Sequence, residues 1–83
     1  MMTVKEIMKR DLASVPYGVP VVHAAKMMRQ RKIGSVFVRL EGRIVGIVTE
    51  PDIVRDVVGA ERNPALMNVE EVMSFPVIEI EEF

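Results

Sequence analysis

The chain has 83 residues, enough for one small domain, and its 49% hydrophobic content and formal net charge of −1 exclude a disordered protein and argue against binding nucleic acid through bulk positive charge. The absence of cysteine excludes disulfides and thiolate metal sites. No apolar run reaches the roughly 18 residues of a membrane span and no signal peptide is recognisable, so we expect a cytoplasmic protein without a membrane partner.

The first part of the chain predicts a short helix, a strand and a longer helix. Residues 4–8 have the apolar spacing of one helical turn, and residues 12–16 are typical of a short strand. Pro20 suits the first turn of a helix, where its missing N–H costs nothing. Residues 21–32 carry apolar side chains at every third or fourth position, which predicts an amphipathic helix.

The next part predicts a hairpin and a second helix. Residues 35–40 and 43–49 are rich in β-branched residues, and the Glu41-Gly42 pair between them predicts a two-residue turn. Residues 50–58 carry two apolar pairs spaced four positions apart, which predicts a helix that Gly59 ends. This order of elements predicts an α/β, or α+β, domain with its helices packed on a small mixed sheet.

The chain contains a short internal repeat. Residues 69–73 are similar to residues 4–8, at an offset of 65 positions (69 − 4), and the apolar register continues beyond them. Chance similarity between two amphipathic segments is the alternative. We interpret residues 1–62 as one unit, and residues 63–83 as a linker followed by the truncated first helix and strand of a second unit.

One motif resembles a known family. A glycine, a hydrophobic residue, a threonine and an aspartate stand at the spacing that is typical of the cystathionine β-synthase (CBS) domain: Gly46, Ile47, Thr49 and Asp52. Residues 23–28 and 33–38 resemble the same family, in the same order along the chain, and the likeness extends from residue 4 to about residue 58.

The resemblance implies a fold and a function. It implies a β-α-β-β-α unit that pairs as a dimer, either a homodimer or a pair with a second CBS unit. Such pairs typically bind AMP, ADP, ATP or S-adenosylmethionine in the cleft between the units and regulate an attached protein. The expected ligand is therefore a regulatory adenine nucleotide, and no cofactor is required.

Thr49 and Asp52 are the main candidate ligand residues. By the resemblance, Asp52 would accept hydrogen bonds from ribose hydroxyls, while Thr49 and free N–H groups at the helix start would face a phosphate. The same two residues have the form of a capping box, and both roles can coexist. Pro51 removes one of the N–H groups, which weakens the expectation of a phosphate contact.

The other candidates come from the resemblance alone. Ile33, Gly34 and Ser35 lie where the family often contacts its ligand, and Gly34 would permit close backbone approach, although a plain helix-to-strand turn explains these residues equally well. Ile47 is a candidate as part of the family motif. Four residues would line an adenine pocket, with core packing as their default role: Val15, Pro16, Val19 and Ala24.

Three hypotheses stay open on these residues. The first is the regulatory nucleotide-binding module, and the second is a structural dimerisation module with no ligand. The third is a small nucleic-acid-binding domain that uses residues 29–32 with Arg39 and Arg43. An enzyme is not expected, because His23 is the only histidine and no nucleophile with an oriented base can be assembled.

Overall fold

A computed structural model describes residues 12–75 of the chain. The predicted helix at residues 4–8 and the predicted strand beyond residue 75 lie outside the described residues. The elements, in chain order, are β1 (Ser14–Pro16), α1 (Val21–Arg31), β2 (Ser35–Leu40), β3 (Arg43–Thr49), α2 (Glu50–Ile53), a π-helical turn that continues α2 (Val54–Val58) and a 3-10 turn (Val69–Glu71).

The strands form a three-stranded mixed sheet in the order β1-β2-β3. β1 runs parallel to β2, and because parallel strands need a crossover connection, α1 links them. β2 pairs antiparallel with β3. The hairpin turns at Glu41 and Gly42, which both have positive φ angles of 51° and 76°, as a two-residue turn requires. The sheet and its helices confirm the predicted α/β (α+β) class and the β-α-β-β-α order.

The helices cover one face of the sheet. Val15, Val36, Val38 and Val48 point to this face and are buried, because alternate residues of a strand share a face. They pack with the apolar stripe of α1, which consists of Val21, Ala24 and Met28. The register shifts between Val38 and Arg39, so that one extra residue of β3 bulges.

Residues after the second helix return to the same core. Met67, Val69 and Val72 are buried among the sheet and helix residues. The Val21 N–H donates to the Met67 carbonyl at 2.7 Å, and the Val69 N–H donates to the Val19 carbonyl at 2.9 Å. Residues 64–74, the return segment, therefore complete the core of the unit that precedes them, while the division at residue 62 stays a prediction.

The return segment also extends the sheet. Ser74 forms a pair of backbone hydrogen bonds with Ile47, at 2.9 and 3.0 Å, on the side of β3 that faces away from β2. Beside this bridge, the side chain of Met73 packs against the backbone of Gly46. If residue 46 had a Cβ atom, this atom would lie 2.9 Å from Met73 Cγ. A side chain at position 46 would therefore force the Met73 side chain out of its present position.

Two helix boundaries differ slightly from the sequence prediction. Pro20 is the residue before α1, with an extended backbone, and not part of its first turn. The predicted single helix over residues 50–58 is an α-helical turn that widens into a π-helical turn. Within residues 12–75, no helix is long and apolar enough to cross a bilayer.

Candidate functional site

Among residues 12–75, no helix lies on the second face of the sheet. Alternation along the strands puts Ser35 and Phe37 of β2 on this face, and the strand register sets them beside Thr49 and Ile47 of β3. Phe37 and Ile47 are only half-buried and do not belong to the core. This open face, consisting of Ser14, Ser35, Phe37, Arg39, Ile44, Ile47 and Thr49, is an apolar centre with polar ends.

Thr49 and Asp52 form a reciprocal cap where β3 turns into α2. The Asp52 Oδ2 atom accepts from the Thr49 N–H at 2.9 Å and from the Thr49 hydroxyl at 2.8 Å. The Asp52 N–H in turn donates to Thr49 Oγ1 at 3.3 Å. The predicted capping box is thus present, and it holds Asp52 in one orientation with only 8% of the residue exposed.

The second carboxylate oxygen of Asp52 faces an arginine. Arg55 donates from Nη2 to Asp52 Oδ1 at 3.0 Å, and from Nε to Asp56 Oδ1 at 3.2 Å. Asp56 first, and then Asp52, raise the pKa of the Arg55 guanidinium above its ordinary value, so it stays charged. Asp52 is therefore the buried member of a small charged cluster at the helix start.

The amides at the start of α2 already have partners. The Glu50 N–H donates to the Gly34 carbonyl at 3.0 Å, Pro51 has no N–H, and the Asp52 N–H serves the cap. The expectation that free N–H groups of this turn face a phosphate is therefore not met in the single chain. Any phosphate would need other donors.

The structure brings the candidates at residues 33–35 next to the cap. Ser35 pairs with Thr49 in the sheet, and the Gly34 carbonyl holds the Glu50 amide. A cleft of about 210 Å³ begins at Ser35 on the side of β2 that faces β1, and neither Thr49 nor Asp52 belongs to its lining, which consists of Leu12, Ala13, Arg31, Ile33, Ser35 and Phe37. One end of the open face thus combines two predicted candidates with an aromatic ring and a cation.

The other candidates lie elsewhere. Val15 and Ala24 are buried in the core, which is their default role, and present almost no surface to a ligand. Pro16 is exposed beside Arg39, at the far end of β2 from Ser35. Val19 is half-buried and its carbonyl is held by the return segment. The single chain does not gather these four around the cap.

Two residues beside the cap were missed in the sequence. Phe37 follows Ser35 by two positions, so strand alternation alone puts both on one face. Arg55 follows Asp52 by three positions, a spacing at which charged side chains meet on a helix. Both spacings are visible in the sequence, but neither Phe37 nor Arg55 belongs to the family motif that contains Asp52.

The basic residues do not form one surface. Arg39 and Arg43 lie near the hairpin end of β2, and Arg39 donates to the Ser14 hydroxyl at 3.2 Å. Residues 29–32 end α1, next to the opposite end of β2, a separation of roughly 17 Å along the strand. The third hypothesis, a nucleic-acid-binding domain, gains no support from this arrangement.

No group of three or more potential metal ligands occurs within residues 12–75.

Comparison with known proteins identifies relatives. A family model described as the CBS domain matches residues 4–59. An uncharacterized protein of Methanopyrus kandleri is 37% identical over 81 residues, which are 96% of this chain and 41% of that protein. A CBS domain-containing protein of Arabidopsis thaliana is 38% identical over 63 residues, which are 76% of this chain and 12% of that protein. The chain thus spans less than half the length of these curated relatives.

Solved structures share the fold. A cystathionine β-synthase domain protein fused to a Zn-ribbon-like domain superposes with a TM-score of 0.77 at 35% identity, covering 83% of this chain and 99% of that one. A protein with CBS domains from Burkholderia ambifaria, described in terms of signal transduction, has a TM-score of 0.74 at 38% identity, covering 80% and 48%. A hexameric CBS-CP12 protein from bloom-forming cyanobacteria has a TM-score of 0.71 at 33% identity, covering 93% and 44%.

Proposed function

The chain belongs to the CBS domain family, and we propose that it is a regulatory module that binds an adenosine nucleotide or S-adenosylmethionine between two paired units. In this proposal the chain catalyses no reaction. Ligand occupancy shifts the population between arrangements of the pair, and an attached protein responds to that shift.

The fixed carboxylate of Asp52 carries this proposal. The cap orients Asp52 at the edge of the open face, and Ser35 and Thr49 lie side by side there. Each carboxylate oxygen can accept two hydrogen bonds, and Oδ1 accepts only one within the described residues. A ribose hydroxyl therefore finds an acceptor that is already held in position.

The open face supports the pairing. Phe37, Ile44 and Ile47 are incompletely buried on a sheet face that none of the described helices covers. A second unit placed against this face would bury their apolar surface, which is favourable by about 25 cal/mol per Å². It would also close the cleft beside Ser35 into an enclosed site, with an apolar wall for a base.

The ligand's phosphates would contribute less than its nucleoside. The amides at the start of α2 are taken by Gly34 and Thr49, so the turn offers no ready anion site. Among the described residues, Arg31 is the only charged side chain that lines the cleft. We therefore expect AMP, ADP and ATP to differ in affinity by less than their differences in charge suggest.

Calorimetric titration of the 83-residue chain with AMP, ATP and S-adenosylmethionine tests the proposal. Asp52→Asn keeps the size of the side chain but removes its charge, so the affinity should fall about 10- to 100-fold, as expected for about 1.5–3 kcal/mol per hydrogen bond to a charged group. Asp56→Asn is the matched control, because it removes a neighbouring acid that does not belong to the cap, and it should lower the affinity far less than Asp52→Asn does.

A structural dimerisation module without a ligand is the second candidate. It is favoured by the fact that both Asp52 oxygens already have partners within the chain. Under this function none of the three compounds would give binding heat or raise the melting temperature, while size-exclusion chromatography would still show a dimer. A monomer at all concentrations would contradict both candidates.

A further inference from the structure

We infer that Arg55 is a built-in competitor for the ligand at Asp52, so that the empty site is closed by the chain's own cation. This inference rests on the proposed function. It concerns a residue outside the motif that the family comparison brings out, and it predicts a dependence of affinity on salt that the proposed function alone does not.

The two oxygens of Asp52 are not equivalent. Oδ2 accepts two hydrogen bonds from Thr49, at 2.9 and 2.8 Å, which uses the capacity of a carboxylate oxygen. Oδ1 makes one contact within the described residues, to Arg55 at 3.0 Å. A sugar diol that seeks both of its hydrogen bonds must therefore approach Oδ1, where the guanidinium already sits.

The position of Arg55 allows it both to occupy Asp52 Oδ1 and to move away from it. Its side chain is 67% exposed, whereas that of Asp52 is 12% exposed, so the arginine lies on the solvent side of the pair. Asp56 holds Arg55 through Nε at 3.2 Å and would keep one of its bonds when Nη2 lets go. The cation can thus swing off Asp52 without losing every partner.

The expected size of the competition is small. Exposed ion pairs contribute little to stability, and salt screens them. Removing Arg55 should therefore tighten ligand binding about two- to fivefold. Because the arginine keeps its charge at all ordinary pH values, ionic strength and not pH should control the competition.

Titration with adenosine tests the inference, because this probe is uncharged and salt does not screen it directly. We expect Arg55→Ala to bind adenosine two- to fivefold more tightly than the wild-type chain at about 50 mM salt, a concentration at which the pair is poorly screened. The wild-type affinity should approach that of the variant at about 500 mM salt. Arg55→Lys keeps a cation and should restore part of the competition.

Matched variants and outcomes separate the inference from the proposed function. Asp56→Asn removes the other anchor of Arg55 but leaves the cation on Asp52, so it should not tighten binding. If the wild-type chain binds adenosine and Arg55→Ala binds it equally or less tightly, the inference is wrong and the proposed function stands. If neither protein binds adenosine, AMP or S-adenosylmethionine, the proposed function itself is wrong. Binding by Arg55→Ala alone would support both.

Discussion

Two short helical turns in this chain begin with the same hydrogen bond and differ in what they bury. At the start of α2, the Thr49 N–H donates to the carboxylate of Asp52 at 2.9 Å. At the start of the 3-10 turn, the Asn68 N–H donates to the carboxylate of Glu71 at 2.8 Å. Asp52 is buried and pairs with Arg55, which also contacts Asp56. Glu71, in contrast, is exposed and pairs with Arg62 at 3.2 Å.

The difference shows that a capping acid has no fixed role. In the first turn the acid itself is placed at the end of the open face, while the apolar residues Val54 and Val58 of the following turn stay exposed. In the second turn the acid stays in water, and the apolar residue Val69 enters the core. The first turn therefore holds a charged group at the edge of the sheet, whereas the second contributes an apolar side chain to the core.

The largest effect should come from the apolar residue of the second turn. Val69→Ala removes two methyl groups from a side chain with 0% exposure, so the free energy of unfolding should fall by about 2–3 kcal/mol. Urea denaturation measures this change. Affinity for a nucleotide should not change at temperatures where the variant is folded.

Val54→Ala is the matched control at the first turn. Val54 is 62% exposed, so its truncation should change the free energy of unfolding by less than about 0.5 kcal/mol. If Val54→Ala and Val69→Ala lowered the free energy of unfolding equally, the proposed difference between the two turns would be contradicted.

A smaller effect is expected at the cap of the first turn. Thr49→Val keeps the shape of the side chain but loses the hydroxyl that accepts from the Asp52 N–H and donates to Asp52 Oδ2. The free energy of unfolding should fall by about 1 kcal/mol, which thermal denaturation can resolve. Thr49→Ser keeps the hydroxyl and should lose much less. Ligand affinity should fall in Thr49→Val as well, because Asp52 loses its orientation.

The smallest effect is a pH dependence at the second turn. The Asn68 N–H first, and then Arg62, hold the pKa of Glu71 below its ordinary value of 4.5. A lowered pKa in the folded state means that the stabilising contribution is present above pH 4.5 and is lost as the pH falls through the folded-state value. In urea titrations, the difference in stability between wild type and Glu71→Gln should therefore shrink below pH 4.5. A difference that grows on acidification would contradict the prediction.

Much of the fold could be predicted because its signals are local. The apolar stripe of α1 and the strand–turn–strand pattern around Gly42 each depend on near neighbours in the chain. The second helix was predicted less well. Of its two apolar pairs, only Ile53 with Val57 packs inward, because a helix on a sheet buries a single stripe.

The rest depends on contacts between distant residues. The hydrogen bonds from the Val21 N–H to the Met67 carbonyl, and from the Val69 N–H to the Val19 carbonyl, join positions about fifty residues apart, and no local pattern specifies those partners. The candidate site shows the same division. The cap at Thr49 and Asp52 follows from a spacing of three, whereas the separation of Val15 and Ala24 from that cap is decided by which face of the sheet the helices cover.

The return segment has a consequence for evolution by duplication. Residues 69–73 are similar in sequence to residues 4–8, yet Val69 and Val72 are buried in the core that the residues before them form. A crossover just before residue 64 that joins an unrelated sequence would leave a hole in the hydrophobic interior. Recombination at that point should yield proteins that aggregate, although the break falls between two apparent repeats.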